Sequence, residues 1–136
     1  MDGPVLEDEE RLILPRGPAS VAEARRFVSS AMGDHELKEV ALLLASELST
    51  NAVDHAAGDS FEVRVRLDGV VRVEVSDGST TLPEPVPSSE ERAGGRGLLL
   101  VEAFASDWGV QVQQGGKTVW FELAPMHSPQ DEGGEG

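Results

Sequence analysis

The sequence predicts an α+β fold with two layers, a mixed but mainly antiparallel β-sheet covered on one face by three helices. Two observations carry this prediction. Apolar residues recur with helical periodicity between residues 20 and 56, whereas from residue 61 onward apolar and polar residues alternate in four short segments. No apolar run approaches the length that spans a bilayer, and the N-terminus lacks the apolar core of a signal peptide. We therefore expect a cytoplasmic protein with one folded domain.

The chain is strongly acidic, and much of its charge lies at the two ends. It has 25 acidic and 11 basic side chains in 136 residues, which gives a net charge of −14. Eight of the acidic residues lie in segments 1–10 and 131–135, which leaves 17 acidic against 11 basic residues elsewhere. Such a body repels a phosphate backbone, so direct nucleic-acid binding is disfavoured and a protein with a basic surface is the more natural partner. The chain has no cysteine and therefore no disulfide or thiolate metal site.

The N-terminal elements are predicted from turn and capping signals. The acidic segment 1–10 is expected to be flexible, and residues 11–15 are expected to form a short strand that proline ends. Residues 20–23 have the spacing of a capping box at the start of a first helix, which Gly33 terminates. The second helix is predicted from about residue 36 to residue 56. The folded domain should thus span residues 11–124.

The first hairpin is predicted together with its register. Alternating segments at 61–67 and 71–75 place their apolar residues on one face only if the connecting loop has an odd number of residues. The simplest solution is a three-residue loop at 68–70, which pairs Leu67 with Val71.

A long segment without periodic apolar residues separates the two hairpins. Residues 78–93 are rich in Gly, Ser, Thr, Pro and Glu and are predicted to be a long loop, of a length that is usually either a functional lid or disordered. It leads through glycines into an apolar helix at 98–104. The last hairpin, with alternating apolar residues at 108–112 and 119–123, is predicted to pair Val112 with Val119 across a loop of four residues at 114–117. Residues 125–136 are expected to be a disordered tail.

The second helix carries polar residues along the border of its buried face. Glu47, Asn51 and His55 recur at every fourth position beside an apolar stripe. For this helix alone, the simplest interpretation is that its surface turns polar there. Asp77, at the end of a strand, and the glycines at 94–97, before a helix, add two more features that a nucleotide site can use.

Each of these features suits one part of a nucleotide. The amide oxygen of Asn51 can ligate Mg²⁺, with phosphate oxygens and water completing the shell, and Glu47 can accept a hydroxyl proton in phosphoryl transfer. The carboxylate of Asp77 can accept a hydrogen bond from an exocyclic amine, although an Asp-Gly pair after a strand is far more often a simple turn. Glycines before a helix offer unhindered N–H groups and the positive end of the helix dipole to a polyphosphate.

Four boxes in this order carry a family resemblance. They are Glu-Leu-Ser-Thr-Asn-Ala-Val-Asp-His at 47–55, Val-Glu-Val-Ser-Asp-Gly-Ser at 73–79, Gly-Gly-Arg-Gly-Leu-Leu-Leu-Val at 94–101 and Gly-Lys-Thr-Val-Trp-Phe at 116–121. This arrangement resembles the GHKL (histidine-kinase-like) ATPase superfamily, and in particular the bacterial anti-sigma-factor serine/threonine kinases of the actinobacterial type. The resemblance extends over nearly all of residues 12–124.

The resemblance implies a Bergerat-type ATP-binding fold with Mg²⁺ and ATP between the sheet and the second helix. The residues that it assigns are Glu47 as catalytic base, Asn51 as metal ligand, Asp77 as reader of adenine, and Ser79, Gly95, Arg96, Gly97, Leu98 and Thr118 around the nucleotide. By the same resemblance, residues 79–93 would be the ATP lid.

The resemblance also implies a function, with one departure that keeps an alternative open. It implies an ATP-binding regulator that sequesters a sigma factor and phosphorylates a serine or threonine of an anti-anti-sigma partner of the STAS type. Ser79 stands where the second box of the family usually has glycine, which favours the alternative of a non-catalytic ATP-sensing or partner-binding module. The sequence leaves open the identity of the partners and whether the chain forms a homodimer.

Overall fold

The computed structural model describes residues 9–55, 58–78, 97–113 and 115–125. The elements in these ranges are β1 (Glu9–Pro15), α1 (Ala19–Met32), α2 (Lys38–His55), β2 (Ser60–Leu67), β3 (Val71–Asp77), α3 (Gly97–Phe104), β4 (Asp107–Gln113) and β5 (Gly116–Leu123). The predicted lid and nearly all of the predicted tail lie outside the described residues, and so does most of the predicted flexible N-terminus. None of the helices in the described ranges is long and apolar enough to cross a membrane.

The five strands form a single open sheet in the order β1-β2-β3-β5-β4, and every pairing is antiparallel. One face of the sheet is apolar and buried, with Val63, Val73 and Phe121 completely shielded from solvent. This face packs beneath the helices: α1 and α2 contact each other and the sheet, and α3 packs against α2. The predicted α+β sandwich of two layers is therefore confirmed.

The first strand begins two residues earlier than the sequence suggested. Glu9 and Glu10 belong to β1 and lie opposite Arg66 and Val65. The Glu9 carboxylate contacts the Arg64 guanidinium at 3.2 Å, so a cross-strand cation compensates the acidic charge that suggested a flexible segment.

The predicted capping box is not formed. The first helix begins at Ala19, one residue before Ser20, and its N-cap residue, Pro18, makes no side-chain capping bond. Ser20 is instead buried, and its hydroxyl donates to the carbonyl of Pro15 at 2.5 Å, so the side chain ties the helix to β1. The helix ends at Gly33 as predicted, with the Gly33 N–H donating to the carbonyl of Ser29.

The first hairpin has the predicted register. Leu67 pairs with Val71 across a loop of residues 68–70, and Arg64 lies opposite Glu74. The alternation of inward and outward side chains is therefore in phase in the two strands, and the valines of both lie on the buried face.

The second hairpin differs from the prediction by two residues. Val112 pairs with Lys117, and Val119 pairs with Val110, so the loop has two residues instead of four. Loops of two and of four residues are both even, so either one keeps the same side chains on the buried face. The shorter loop allows more residue pairs between β4 and β5. Gly115 supplies the positive φ of +83° that a tight turn requires. As a result, Gly116 and Lys117 become the first residues of β5.

Candidate functional site

The C-terminal ends of α2 and β3 lie at the same end of the sheet strands. We call this end of the sheet, with the end of α2, Asp77 and the start of β5, the edge that holds the candidate site. After α2 ends at His55, the chain enters β2 at Ser60. Two residues further along β2, Glu62 pairs with Ser76, the residue before Asp77. The topology thus brings the C-terminal half of α2 and Asp77 to one edge, although they are more than twenty residues apart in sequence.

A side chain that sequence reasoning missed fixes this edge. The Arg16 guanidinium donates to the carbonyl of Val53 at 3.2 Å and to the carbonyl of Gly58 at 3.4 Å. The backbone N–H of Arg16 donates to the carbonyl of Asp59 at 2.8 Å. Arginine near a helix C-terminus satisfies carbonyls that have no partner within the helix. Arg16 therefore anchors the last turn of α2 to the end of β1.

Asn51 presents a buried acceptor at the border of α2. Its side-chain oxygen Oδ1 is buried and makes no hydrogen bond within the described structure. On either side of it along the helix, Leu48 and Ala52 are packed in the core. A buried acceptor without a partner is unfavourable, whereas a neutral amide oxygen is a suitable ligand for a hard divalent cation. The Asn51 side-chain oxygen therefore fits the role of a Mg²⁺ ligand.

Glu47 lies one turn before Asn51 on the same border. Its side chain is half-buried, and α2 places it four residues before Asn51, on the same side of the helix. Its carboxylate makes no hydrogen bond or ion pair with any residue that the structure describes. The structure thus brings Glu47 and Asn51 together as predicted. The side chain of His55 lies outside the described part of the molecule.

Asp77 is held by a lysine that the sequence analysis did not select. The Lys117 ammonium lies 3.1 Å from both carboxylate oxygens of Asp77, and the two residues are direct cross-strand neighbours. The exposed fraction of the side chain is 4% for Asp77 and 7% for Lys117. Lys117 shares its face of β5 with Val119, Phe121 and Leu123, and that alternation is the signal that could have identified it.

The structure separates Thr118 from Asp77. Strand periodicity turns Thr118 to the opposite face of the sheet from Lys117, where its hydroxyl and that of Ser76 share a hydrogen bond of 2.7 Å. Thr118 therefore makes no direct contact with the Asp77 carboxylate, which is paired with Lys117 instead. The support of adenine by Thr118 that the resemblance implies stays a prediction.

The helix α3 packs against α2 and β4. It begins at Gly97, and just beyond its C-terminus the N–H of Ser106 donates to the carbonyl of Glu122 at 2.8 Å. Glu122 lies at the other end of β5 from Lys117, so the C-terminus of α3 lies near the distant edge of the sheet. The predicted phosphate contacts at Ser79, Gly95 and Arg96, and the side chain of Leu98, lie outside the described residues and stay predictions.

A solved structure with a TM-score of 0.65 supports the architecture. The structure of the RsbU and RsbW domains of Rv1364c from Mycobacterium tuberculosis aligns with a TM-score of 0.65 and 21% identity, over 85% of this chain and 32% of that one. A histidine kinase domain from the Erythrobacter litoralis blue-light activated histidine kinase EL346 aligns with a TM-score of 0.49 and 24% identity, over 87% of this chain and 64% of that one. This chain thus spans about a third of the first and just under two thirds of the second.

Sequence comparison identifies the family. No curated protein sequence matches the chain significantly. The sequence profile of the histidine kinase-like ATPase domain, however, matches residues 14–123, which include Asn51 on α2 and Asp77 on β3. ATP is the ligand that such a domain implies, and Mg²⁺ commonly accompanies it. The chain therefore belongs to the histidine kinase-like ATPase domain family.

Proposed function

We propose that this protein is an ATP-binding regulator that sequesters a sigma factor and phosphorylates a serine or threonine of an anti-anti-sigma partner of the STAS type. The observation that carries the proposal is the buried oxygen of Asn51, which has no hydrogen-bond partner among the described residues. It lies on the helix that reaches the edge where Asp77 is buried. Family membership makes ATP the natural ligand of that edge. The resemblance of the boxes to anti-sigma-factor kinases supports the choice of partners.

In the proposed complex, each group of candidate residues contacts one part of Mg-ATP. Asn51 ligates the metal, and Asp77 accepts a hydrogen bond from the exocyclic amine of adenine. The N-terminus of α3 at Gly97, with Ser79, Gly95, Arg96 and the backbone of Leu98, faces the phosphates. The bound metal neutralises charge on the phosphate oxygens, which is a main requirement of phosphoryl transfer.

Glu47 is the proposed general base. A partner hydroxyl oxygen forms a bond to the γ-phosphorus, the bond from that phosphorus to the bridging oxygen breaks, and ADP leaves. The hydroxyl proton passes to the Glu47 carboxylate. Because Glu47 is half-buried and has no ion pair among the described residues, no neighbouring cation there competes for its lone pairs.

The charge of the chain supports a basic partner. With a net charge of −14, the protein attracts a positively charged protein surface and repels nucleic acid. In the proposed cycle, the sigma factor is held until the anti-anti-sigma protein competes for the regulator. Phosphorylation of that competitor restores the inhibition of the sigma factor.

Radiolabelled phosphate transfer tests the kinase activity. Partners are first isolated by affinity capture with and without Mg-ATP, and the captured antagonist is then incubated with the protein and [γ-³²P]ATP. We expect Glu47→Gln to slow the labelling by about a hundredfold or more while Mg-ATP affinity changes by less than about twofold. Glu39→Gln, which alters an exposed acid on the first turn of α2, is the matched control and should label at the parent rate. Equal labelling by Glu47→Gln and the parent would exclude Glu47 as the base.

A second candidate function is a non-catalytic module that senses ATP or only binds a partner. The observation in its favour is Ser79, at the position where the second box usually has glycine. Titration calorimetry combined with the labelling assay separates the cases. Binding of Mg-ATP without label on any captured partner supports a sensor, and the absence of heat with Mg-ATP leaves a partner-binding module.

A further inference from the structure

The Lys117 ammonium has a donor that the described protein does not use. An ammonium group carries three N–H donors, and two of them point to the oxygens of Asp77. The third has no acceptor within the described ranges, although the side chain is only 7% exposed. A buried donor without an acceptor is unfavourable, so the arrangement is complete only when another acceptor enters the site.

The strand pairing holds this donor in a fixed position. Asp77 and Lys117 are direct partners in the β3–β5 ladder, and Val75 and Val119 form the next inward-facing pair and are buried beside them. Gly116 approaches the Asp77 backbone so closely that a methyl group there would overlap its carbonyl oxygen. The two strands therefore define the relative position of the carboxylate and the ammonium.

We propose that Lys117 is a specificity-determining residue of the nucleotide site, and that its third N–H donates to the ring nitrogen N1 of adenine. This inference rests on the proposed binding of ATP with its exocyclic amine at Asp77. On the Watson–Crick edge of adenine, N1 is an acceptor and adjoins the carbon that bears the amine donor. The carboxylate and the ammonium present the complementary pair, an acceptor beside a donor.

This role differs from simple charge compensation. If Lys117 only neutralised Asp77, the base would be read by the carboxylate alone, and the acceptor at N1 would not affect affinity. If Lys117 donates to N1, removing that acceptor leaves a buried ammonium donor unpaired. Sites that use hydrogen bonds in this way reject analogues that lack the partner group.

An analogue of ATP in which N1 is replaced by a C–H group tests the inference directly. The full-length protein is titrated with Mg-ATP and with the magnesium complex of 1-deaza-ATP in a calorimeter. We expect the parent to bind the analogue about tenfold more weakly or worse, because the lost hydrogen bond involves a charged donor. Lys117→Met should bind both nucleotides with affinities within about twofold of each other.

Arg66→Met is the matched control, because it removes one positive charge from an exposed position of β2. It should keep the discrimination of the parent. Equal affinity of the parent for the two nucleotides would overturn the proposal, and that measurement needs no variant that might unfold. Discrimination that persists in folded Lys117→Met would overturn it as well. Failure of the parent to bind ATP at all is a different outcome, which would remove the proposed function together with this inference.

Discussion

Two charged clusters on opposite faces of the sheet differ in how completely they are satisfied. On the open face, the Arg72 guanidinium bonds to Glu74 at 2.7 Å and to Glu122 at 2.8 Å, and it stacks on the Trp120 ring at 4.1 Å. Burial alone lowers the pKa of Arg72, but its hydrogen bonds with Glu74 and Glu122 outweigh that effect and raise the pKa above the ordinary value. This cluster behaves as a closed structural network.

On the helix-covered face, the pair of Lys117 and Asp77 is more deeply buried and less complete. Within the part of the chain that the structure describes, it keeps an ammonium donor without an acceptor, and the Asn51 oxygen on α2 likewise has no partner. The pair lies at the same edge of the sheet as the end of α2. The comparison teaches that the number of charges alone does not support the proposed site. Asn51 Oδ1 and the Lys117 ammonium support it, because both keep hydrogen-bonding capacity that no described residue uses and that a bound ligand satisfies.

The largest expected effect comes from breaking the buried pair. Lys117→Met leaves the Asp77 carboxylate buried without its cation, and we expect the free energy of unfolding to fall by about 3 kcal/mol. Arg72→Met removes a more exposed cation and should lower it by about 1 kcal/mol. Urea denaturation of the two variants measures the difference. Equal losses would contradict the distinction between the two faces.

The second comparison uses one glycine from each region. A methyl group at Gly116 overlaps the Asp77 backbone, which cannot move without disturbing the ladder, whereas a methyl group at Gly109 lies 2.8 Å from the Trp120 ring, a side chain that can shift. We expect Gly116→Ala to cost about 2–3 kcal/mol and Gly109→Ala about 1 kcal/mol. Thermal denaturation of the two variants measures both losses of stability. A larger loss at Gly109 would show that the Trp120 ring yields less easily than the backbone beside Asp77.

A smaller effect of opposite sign is expected at Ser49. This residue of α2 is completely buried, and its hydroxyl has no partner within the described structure, but it lies among core residues. Ser49→Ala should raise the free energy of unfolding by up to about 1 kcal/mol, because it removes an unpaired polar group. Urea denaturation measures the stability. Calorimetry measures the Mg-ATP affinity, which should agree with that of the parent within about twofold. A large loss of affinity would assign Ser49 to the site.

The smallest effect is expected at Thr118. Thr118→Val preserves the shape and removes the hydroxyl that bonds to Ser76 on the open face. Mg-ATP affinity in a calorimetric titration should change by less than about twofold, because the side chain points away from Asp77. A loss of Mg-ATP affinity well beyond this limit would support the predicted role of Thr118 at the adenine end.

Much of the fold was predictable because side-chain parity restricts it strongly. The alternation in β2 and β3 allowed only an odd loop, so the pairing of Leu67 with Val71 followed from the sequence alone. The helical spacing of Glu47 and Asn51 likewise predicted that both lie on one border of α2. These are short-range consequences of backbone geometry.

The remaining errors arose where local rules allow several solutions. Two-residue and four-residue loops keep the same parity, so the alternation could not select the register of β4 and β5. Ser20 had the spacing of a capping residue but is used in a tertiary hydrogen bond to Pro15, which no local pattern predicts. The partner of Asp77 depended on strand pairing across 40 residues, which the motif match did not address.

Calorimetry of Mg-ATP binding to the parent and to Asn51→Ala, with and without EDTA, tests the central claim most directly. We expect magnesium to strengthen ATP binding to the parent and expect Asn51→Ala to lose about tenfold or more of the Mg-ATP affinity, equivalent to about 1.4 kcal/mol. Glu47→Gln should bind like the parent. The account is contradicted if folded Asn51→Ala binds Mg-ATP as tightly as the parent does.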